Sequence, residues 1–150
     1  MSRDFSDAGD ETLDSLPPLL GALLRFAWQK LRERLLKSLL AAGYSDLNAA
    51  HLNVFQYPPP DGVRPIDLAQ RASMTRQAMN YLLVQLESGG YVTRGGTGSS
   101  SLVSLTPRGR EVGLLLRSEV KAVEAEWSQA LGKKRFDDLV ESLKMIASLP

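Results

Sequence analysis

Thr75, Arg76, Gln77, Asn80 and Tyr81 fall within seven consecutive positions, and all of them carry side chains that can hydrogen-bond to a base. The guanidinium fork of Arg matches the two acceptors of guanine, while Gln and Asn each set a donor beside an acceptor, the pattern that matches adenine. Gln85 follows one helical turn on, and no carboxylate interrupts the set before Glu87. Such a face suits the edges of base pairs in a major groove; the plainer alternative is a solvated helix flank. Other chemistry is largely closed to this chain. It has no cysteine, which excludes a disulfide framework, a thiolate zinc site, an iron–sulfur cluster and a cysteine nucleophile. A lone histidine, His51, has no metal-ligand partner at a useful spacing, and a Ser-His-Asp arrangement would hang on that one ring. Ser99, Ser100 and Ser101 sit in a Gly/Ser-rich stretch with no histidine beside them, and no glycine loop leads into a lysine. The expectation is a binding protein with no catalytic residue, no metal and no cofactor.

Those polar positions need a helix to present them, and the sequence supplies one. Thr75 is a good N-cap, Met79 and Leu82 provide an apolar side, and Gly89-Gly90 has the signature of a C-cap, so Thr75 to Ser88 reads as a helix. A shorter helix, Pro65 to Ala72, precedes it, with Leu68, Ala72 and Met74 apolar and Ala69 small where two crossing helices interlock. Tyr91 to Arg94 and Leu102 to Leu105 read as two strands around the Gly/Ser-rich tip Gly95 to Ser101. Helix, tight turn, helix and two-stranded hairpin together make a winged helix-turn-helix.

Long helices flank this lobe. After Pro17-Pro18, apolar residues recur at Leu20, Leu23, Leu24, Ala27, Leu31, Leu35 and Leu39 as far as Gly43, and a second stripe of Leu19, Phe26, Leu36 and Leu40 widens the face beyond one core's needs. That surplus points to a second copy of the chain. Asn48 to Gln56 reads as a short helix stopped by Pro58-Pro59-Pro60, with a turn at Asp61-Gly62. Thr106-Pro107 starts another long helix with Val112, Leu115, Val120, Val123, Trp127 and Leu131 on one side, and a last helix carries Phe136, Leu139, Val140, Leu143 and Ile146. The fold class is therefore mainly α (α+β). Four segments follow: a disordered acidic tail over 1–15, dimerisation and linking helices over 16–63, a DNA-binding lobe over 64–106, and C-terminal dimerisation helices over 107–150.

The net charge of +1 over 150 residues hides an uneven distribution. Near the start, Arg3 stands against Asp4, Asp7, Asp10, Glu11 and Asp14, whereas from Arg64 to Arg117 every cation is an arginine and the only acids are Asp67, Glu87 and Glu111. A basic middle rich in arginine suits phosphate and guanine recognition. The N-terminus lacks a signal-peptide profile and no apolar run approaches a membrane span, so a cytoplasmic protein without membrane contact is expected.

At four places the chain resembles the MarR family of bacterial transcription regulators: Ile66-Asp67-Leu68-Ala69-Gln70-Arg71, Thr75-Arg76-Gln77-Ala78-Met79, Leu86-Glu87-Ser88-Gly89-Gly90-Tyr91-Val92 and Leu105-Thr106-Pro107-Arg108-Gly109-Arg110. The resemblance implies a two-fold homodimer built from Pro17 to Ala42 and Glu111 to Leu149, with Thr75, Arg76, Gln77 and Asn80 in the major groove and the wing reaching the minor groove. It also implies a regulator, by default a repressor, of a pseudo-palindromic operator, relieved by a small aromatic or phenolic ligand. Trp28, Phe55 and Tyr57 near Arg25 or Arg32 are the candidates to receive such a ligand; the plainer alternative is that the aromatics are ordinary core. The wing departs from the family pattern: its tip is Gly-Thr-Gly-Ser-Ser-Ser, and Arg94 is the only nearby cation. Ser73 stands where related turns prefer a left-handed glycine. A winged helix that binds a protein partner instead of DNA is the competing expectation, motivated by that bare wing.

Overall fold

The computed structural model describes residues 12–96 and 101–150; most of the acidic N-terminal stretch and the tip of the hairpin lie outside them. The chain divides into two units, one ending at Lys30 and the other running from Leu31 to Pro150. In the first, a single 3-10 turn at Leu13–Ser15 precedes the opening turns of helix α1, Leu20–Ala41. The helix begins two residues beyond Pro17-Pro18, and within this unit Leu19, Leu20, Leu23, Leu24, Phe26 and Trp28 are all exposed.

The second unit holds the core. Its elements are the rest of α1, β1 (Asp61–Val63), α2 (Pro65–Arg71), α3 (Arg76–Ser88), β2 (Val92–Gly95), β3 (Leu102–Leu105), α4 (Pro107–Leu131) and α5 (Lys133–Ala147). Leu35 and Leu39 of α1, Leu68 and Ala69 of α2, Met79, Leu82, Leu83 and Leu86 of α3, Val92 and Val103 of the sheet, and Val112 and Leu116 of α4 form one buried cluster. Part of the α1 stripe is thus spent inside the chain: Leu35 is a core residue, not a surface left for a partner.

The helix-turn-helix follows the expected local chemistry. Pro65 occupies the first turn of α2, Thr75 caps α3, and Thr106 caps α4 by accepting a hydrogen bond from the Gly109 amide at 3.0 Å. Between α2 and α3 the chain reverses through Ser73, whose φ of 52° puts a residue with a Cβ in the left-handed region. The Met74 amide then bonds back to the Ala69 carbonyl at 2.9 Å and closes the turn. Just past the Gly89 cap of α3, Gly90 turns the chain away at φ 78°, with the Tyr91 amide donating to the Leu86 carbonyl at 2.9 Å.

Two local expectations are corrected. Asn48 to Gln56 holds only a 3-10 turn at His51–Asn53. Here side chains take over the hydrogen bonds a helix would use: Asn48 donates its amide to His51 Nδ1 at 3.0 Å, and its side-chain oxygen accepts from the Ala50 amide. Asp61-Gly62 belongs to strand β1, not to a turn, and the wing hairpin is extended to a three-stranded antiparallel sheet in the order β1-β3-β2. β2 and β3 pair Val92 with Leu105 and Arg94 with Val103, while the short β1 covers the other edge of β3 through Asp61 and Val63.

Gly109 and Ser73 make opposite demands on the backbone. A Cβ at Gly109 would overlap the Tyr91 carbonyl oxygen, so Gly109→Ala should destabilise the fold by about 1–3 kcal/mol. Ser73→Gly should stabilise it by about 0.5–1 kcal/mol, the relief of left-handed strain partly offset by a looser unfolded chain. Urea melts of both variants test this; equal midpoints for the two would contradict it.

Candidate nucleic-acid interface

α3 buries one side and presents the other. Met79, Leu82, Leu83 and Leu86 lock it to the core, which fixes the rotation of the helix and leaves Arg76, Gln77, Asn80 and Tyr81 exposed on the opposite side. Thr75 caps the helix by accepting from the Ala78 amide at 3.1 Å, so its hydroxyl is engaged in holding the first turn. Among the described residues Arg76 forms no salt bridge, whereas Arg64, ahead of α2, donates to Asp67 at 2.9 Å and holds that carboxyl below its ordinary range, mainly through the hydrogen bond.

Gln85 does not join this face. Its side-chain oxygen pairs with His51 Nε2 at 2.8 Å, and because His51 Nδ1 accepts from Asn48, Nε2 carries the proton and donates. The buried histidine therefore has a structural role, tying the segment after α1 to α3.

Arg94 also departs from a freely projecting wing cation. Side chains alternate along a strand, so Arg94 shares the face of buried Val92 and turns toward α3. Its Nη1 donates to Asn80 Oδ1 at 2.7 Å, and Glu87 Oε2 lies 3.8 Å from Nε. Only 18% of the Arg94 side chain is exposed, and its Nε is buried without a hydrogen-bond acceptor among the described residues. An open groove of about 840 Å³ runs between α3 and the wing, lined by Arg76, Gln77, Asn80, Val84, Glu87 and Arg94 together with Pro65, Gly96 and Ser101. Val84, half-exposed one turn beyond Asn80, is a groove residue that polarity alone could not flag. The signal for it was its spacing of four from Asn80.

Behind the wing, Tyr91 is almost fully buried. Its hydroxyl donates to Asp46 at 2.6 Å and accepts from Arg108 at 3.1 Å. Burial, followed by the bond to Asp46, pushes the phenol up to about 12, so it stays protonated as the donor. Phe55 meets the Tyr91 ring edge-on at 6.4 Å and so takes a core role, while Tyr57 is 90% exposed. Trp28 is partly exposed on α1, and Arg25 lies over the Phe26 ring at 4.7 Å. Among the described residues no group of His, Asp or Glu could hold a metal ion, and no helix is long and apolar enough to cross a membrane.

No protein-family model and no curated sequence matches the chain. Solved structures do match. The MarR family protein Rv2887 of Mycobacterium tuberculosis, in complex with p-aminosalicylic acid, is 30% identical, with a TM-score of 0.64 over 87% of this chain and 100% of that one. The same protein in complex with DNA matches at 28% identity and a TM-score of 0.65, over 88% of this chain and 100% of that one. A MarR-family transcriptional regulator from a Rhodococcus species has the same fold, with a TM-score of 0.67 at 20% identity over 87% of this chain and 95% of that one. With the helix-turn-helix and wing in place, and with identity of 30% across the whole of a relative, the chain belongs to the MarR family of winged-helix transcription regulators.

Proposed function

We propose that this regulator binds double-stranded DNA sequence-specifically as a homodimer and represses transcription from a pseudo-palindromic operator. The observation that carries the reading is the exposed face of α3, where Arg76, Gln77, Asn80 and Tyr81 point away from a core that fixes their helix. The DNA complex of Rv2887 supports it. In this reading residues 64–106 form the DNA-binding lobe, 16–63 and 107–150 supply dimerisation and linking helices, and 1–15 form an acidic tail. Thr75 orients the helix, and Arg76 and Gln77 reach base edges. Two copies of α3 enter successive major grooves about 34–36 Å apart. Repression is the default form of this reading.

Exposed apolar residues support the homodimer. On α5, Leu139, Leu143 and Ile146 recur on one side and are between 41% and 56% exposed, more apolar surface than a solitary helix ordinarily leaves in water. A partner's copy of the same helices would cover it. The effector reading rests on the p-aminosalicylic acid complex of Rv2887. In this chain Arg25 and Trp28, three residues apart on α1, offer a cation and a ring for an aromatic acid.

Selection of bound duplexes from a random pool tests the central claim. A two-fold symmetric motif with half-sites one helical turn apart is expected, and Arg76→Ala should lose about 1–3 kcal/mol of discrimination at one base position. Enrichment of no motif would favour a protein-binding winged helix instead. For the dimer, Leu143→Glu should convert the species seen by sedimentation into a monomer, since an unpaired charge in an apolar interface is costly; an unchanged sedimentation coefficient would place the interface elsewhere. For the effector, salicylic acid should raise the melting temperature and weaken operator binding, both effects shrinking in Trp28→Ala. No thermal shift up to millimolar ligand would remove this part of the reading.

A further inference from the structure

The contact between the wing and α3 limits what Asn80 can say to a base. A guanidinium has only N–H donors, so the Asn80 amide must turn its oxygen toward Arg94, and the bond at 2.7 Å engages one of that oxygen's lone pairs and holds it facing the wing. The amide's NH2 group is then the part left facing the groove. Arg94 is held in that pose from several sides: strand alternation aims it at α3, Val103 stands opposite it across the sheet, and Glu87 balances its charge two turns along the helix from Asn80.

We propose that Arg94 is a positioning residue that fixes Asn80 as a donor-only reader of the major groove. This deepens the DNA-binding reading and rests on it. A free Asn amide pairs with adenine through its oxygen and nitrogen together; one whose oxygen is turned to Arg94 offers the groove only its N–H donors. It therefore favours guanine, with its O6 and N7 acceptors, or thymine, with O4; adenine offers N7 alone beside its own N6 donor, and cytosine, whose exposed group is itself a donor, is rejected. Paired with Glu87 and mostly buried, Arg94 contributes little to phosphate neutralisation or to minor-groove insertion.

The test repeats the duplex selection with the full chain carrying Arg94→Leu, Arg94→Met, Arg94→Lys or Asn80→Asp, each first checked for a cooperative melt. The position read by Asn80 is the one whose preference disappears in Asn80→Ala. There the unsubstituted protein should favour guanine or thymine. Arg94→Leu frees the amide oxygen and should enrich adenine roughly tenfold or more, the scale of one bidentate pair. Arg94→Lys keeps a donor on Asn80 and should retain the original preference. If Arg94→Leu fails to fold, Arg94→Met carries the test, its unbranched chain filling the same space without a donor, and adenine should again be enriched; Asn80→Asp, which removes the outward donor, should move the preference to cytosine.

An unchanged base preference in Arg94→Leu, or in Arg94→Met standing in for it, would overturn the proposal. So would a uniform loss of affinity for all duplexes with a shallower salt dependence, which would make Arg94 a phosphate contact. If the unsubstituted protein selects no sequence at all, the DNA-binding reading itself fails, an outcome distinct from either.

Discussion

The junction of α3, the wing and α4 is held by one buried phenol ring. Tyr91 lies between Tyr44, 6.1 Å away, and Phe55, and its two ends are bound by different parts of the chain. Its hydroxyl is shared by Asp46 from the loop after α1 and Arg108 from the first turn of α4. Its backbone amide finishes α3 and its carbonyl accepts from Thr106 at 3.0 Å, where β3 passes into α4. Arg108 stacks over the ring at 4.6 Å and donates to the Gly89 carbonyl at 3.1 Å. Removing a packed ring of this size costs about 3–5 kcal/mol in a typical core, a large share of a total stability near 5–15 kcal/mol. Gly109 has no side chain because the space beside the Tyr91 carbonyl is already taken.

The same economy governs the polar residues on and behind α3. Those that turn inward have specific partners: Gln85 has His51, and Arg94 has Asn80 and Glu87, with only its Nε left without an acceptor among the described residues. Burying such groups unpaired would cost more than the pairs return. What remains for a partner is a narrower set than the residue types suggest, with Arg76 the cation of the face that no carboxylate neutralises among the described residues.

Local signals in the sequence carried most of the fold. Thr75, Thr106, Pro65, Pro107 and Gly90 announce helix ends through chemistry confined to a turn, and each stands where that chemistry requires. Ser73 was legible as an unusual turn residue for the same reason. What escaped depends on neighbours distant in sequence. β1 is three residues long and has no reason to be a strand until β3 offers it an edge. The segment from Asn48 to Gln56 has helical composition, yet Asn48 and His51 satisfy each other first. The division of the α1 stripe, with Leu35 and Leu39 inside and Leu40 exposed, is a matter of packing that periodicity cannot apportion. The inward turn of Arg94 was within reach, since it shares strand parity with Val92, but its type drew attention to charge before direction.

The unbroken course of α4 sets a mechanical condition on all this. Its first turn is welded to the wing through Thr106, Arg108 and Gly109, and farther along it Glu119 and Glu126 both grip Arg34 of α1, at 2.8 and 2.7 Å. Twenty-five residues of helix make a rod of roughly 37 Å at about 1.5 Å per residue. Pivoted at its far end, such a rod converts a tilt of about 5° into a displacement of about 3 Å at the wing, the length of a whole hydrogen bond. Because the wing is fastened to the near end of α4, it must follow any such tilt, and the helix sets where the wing stands.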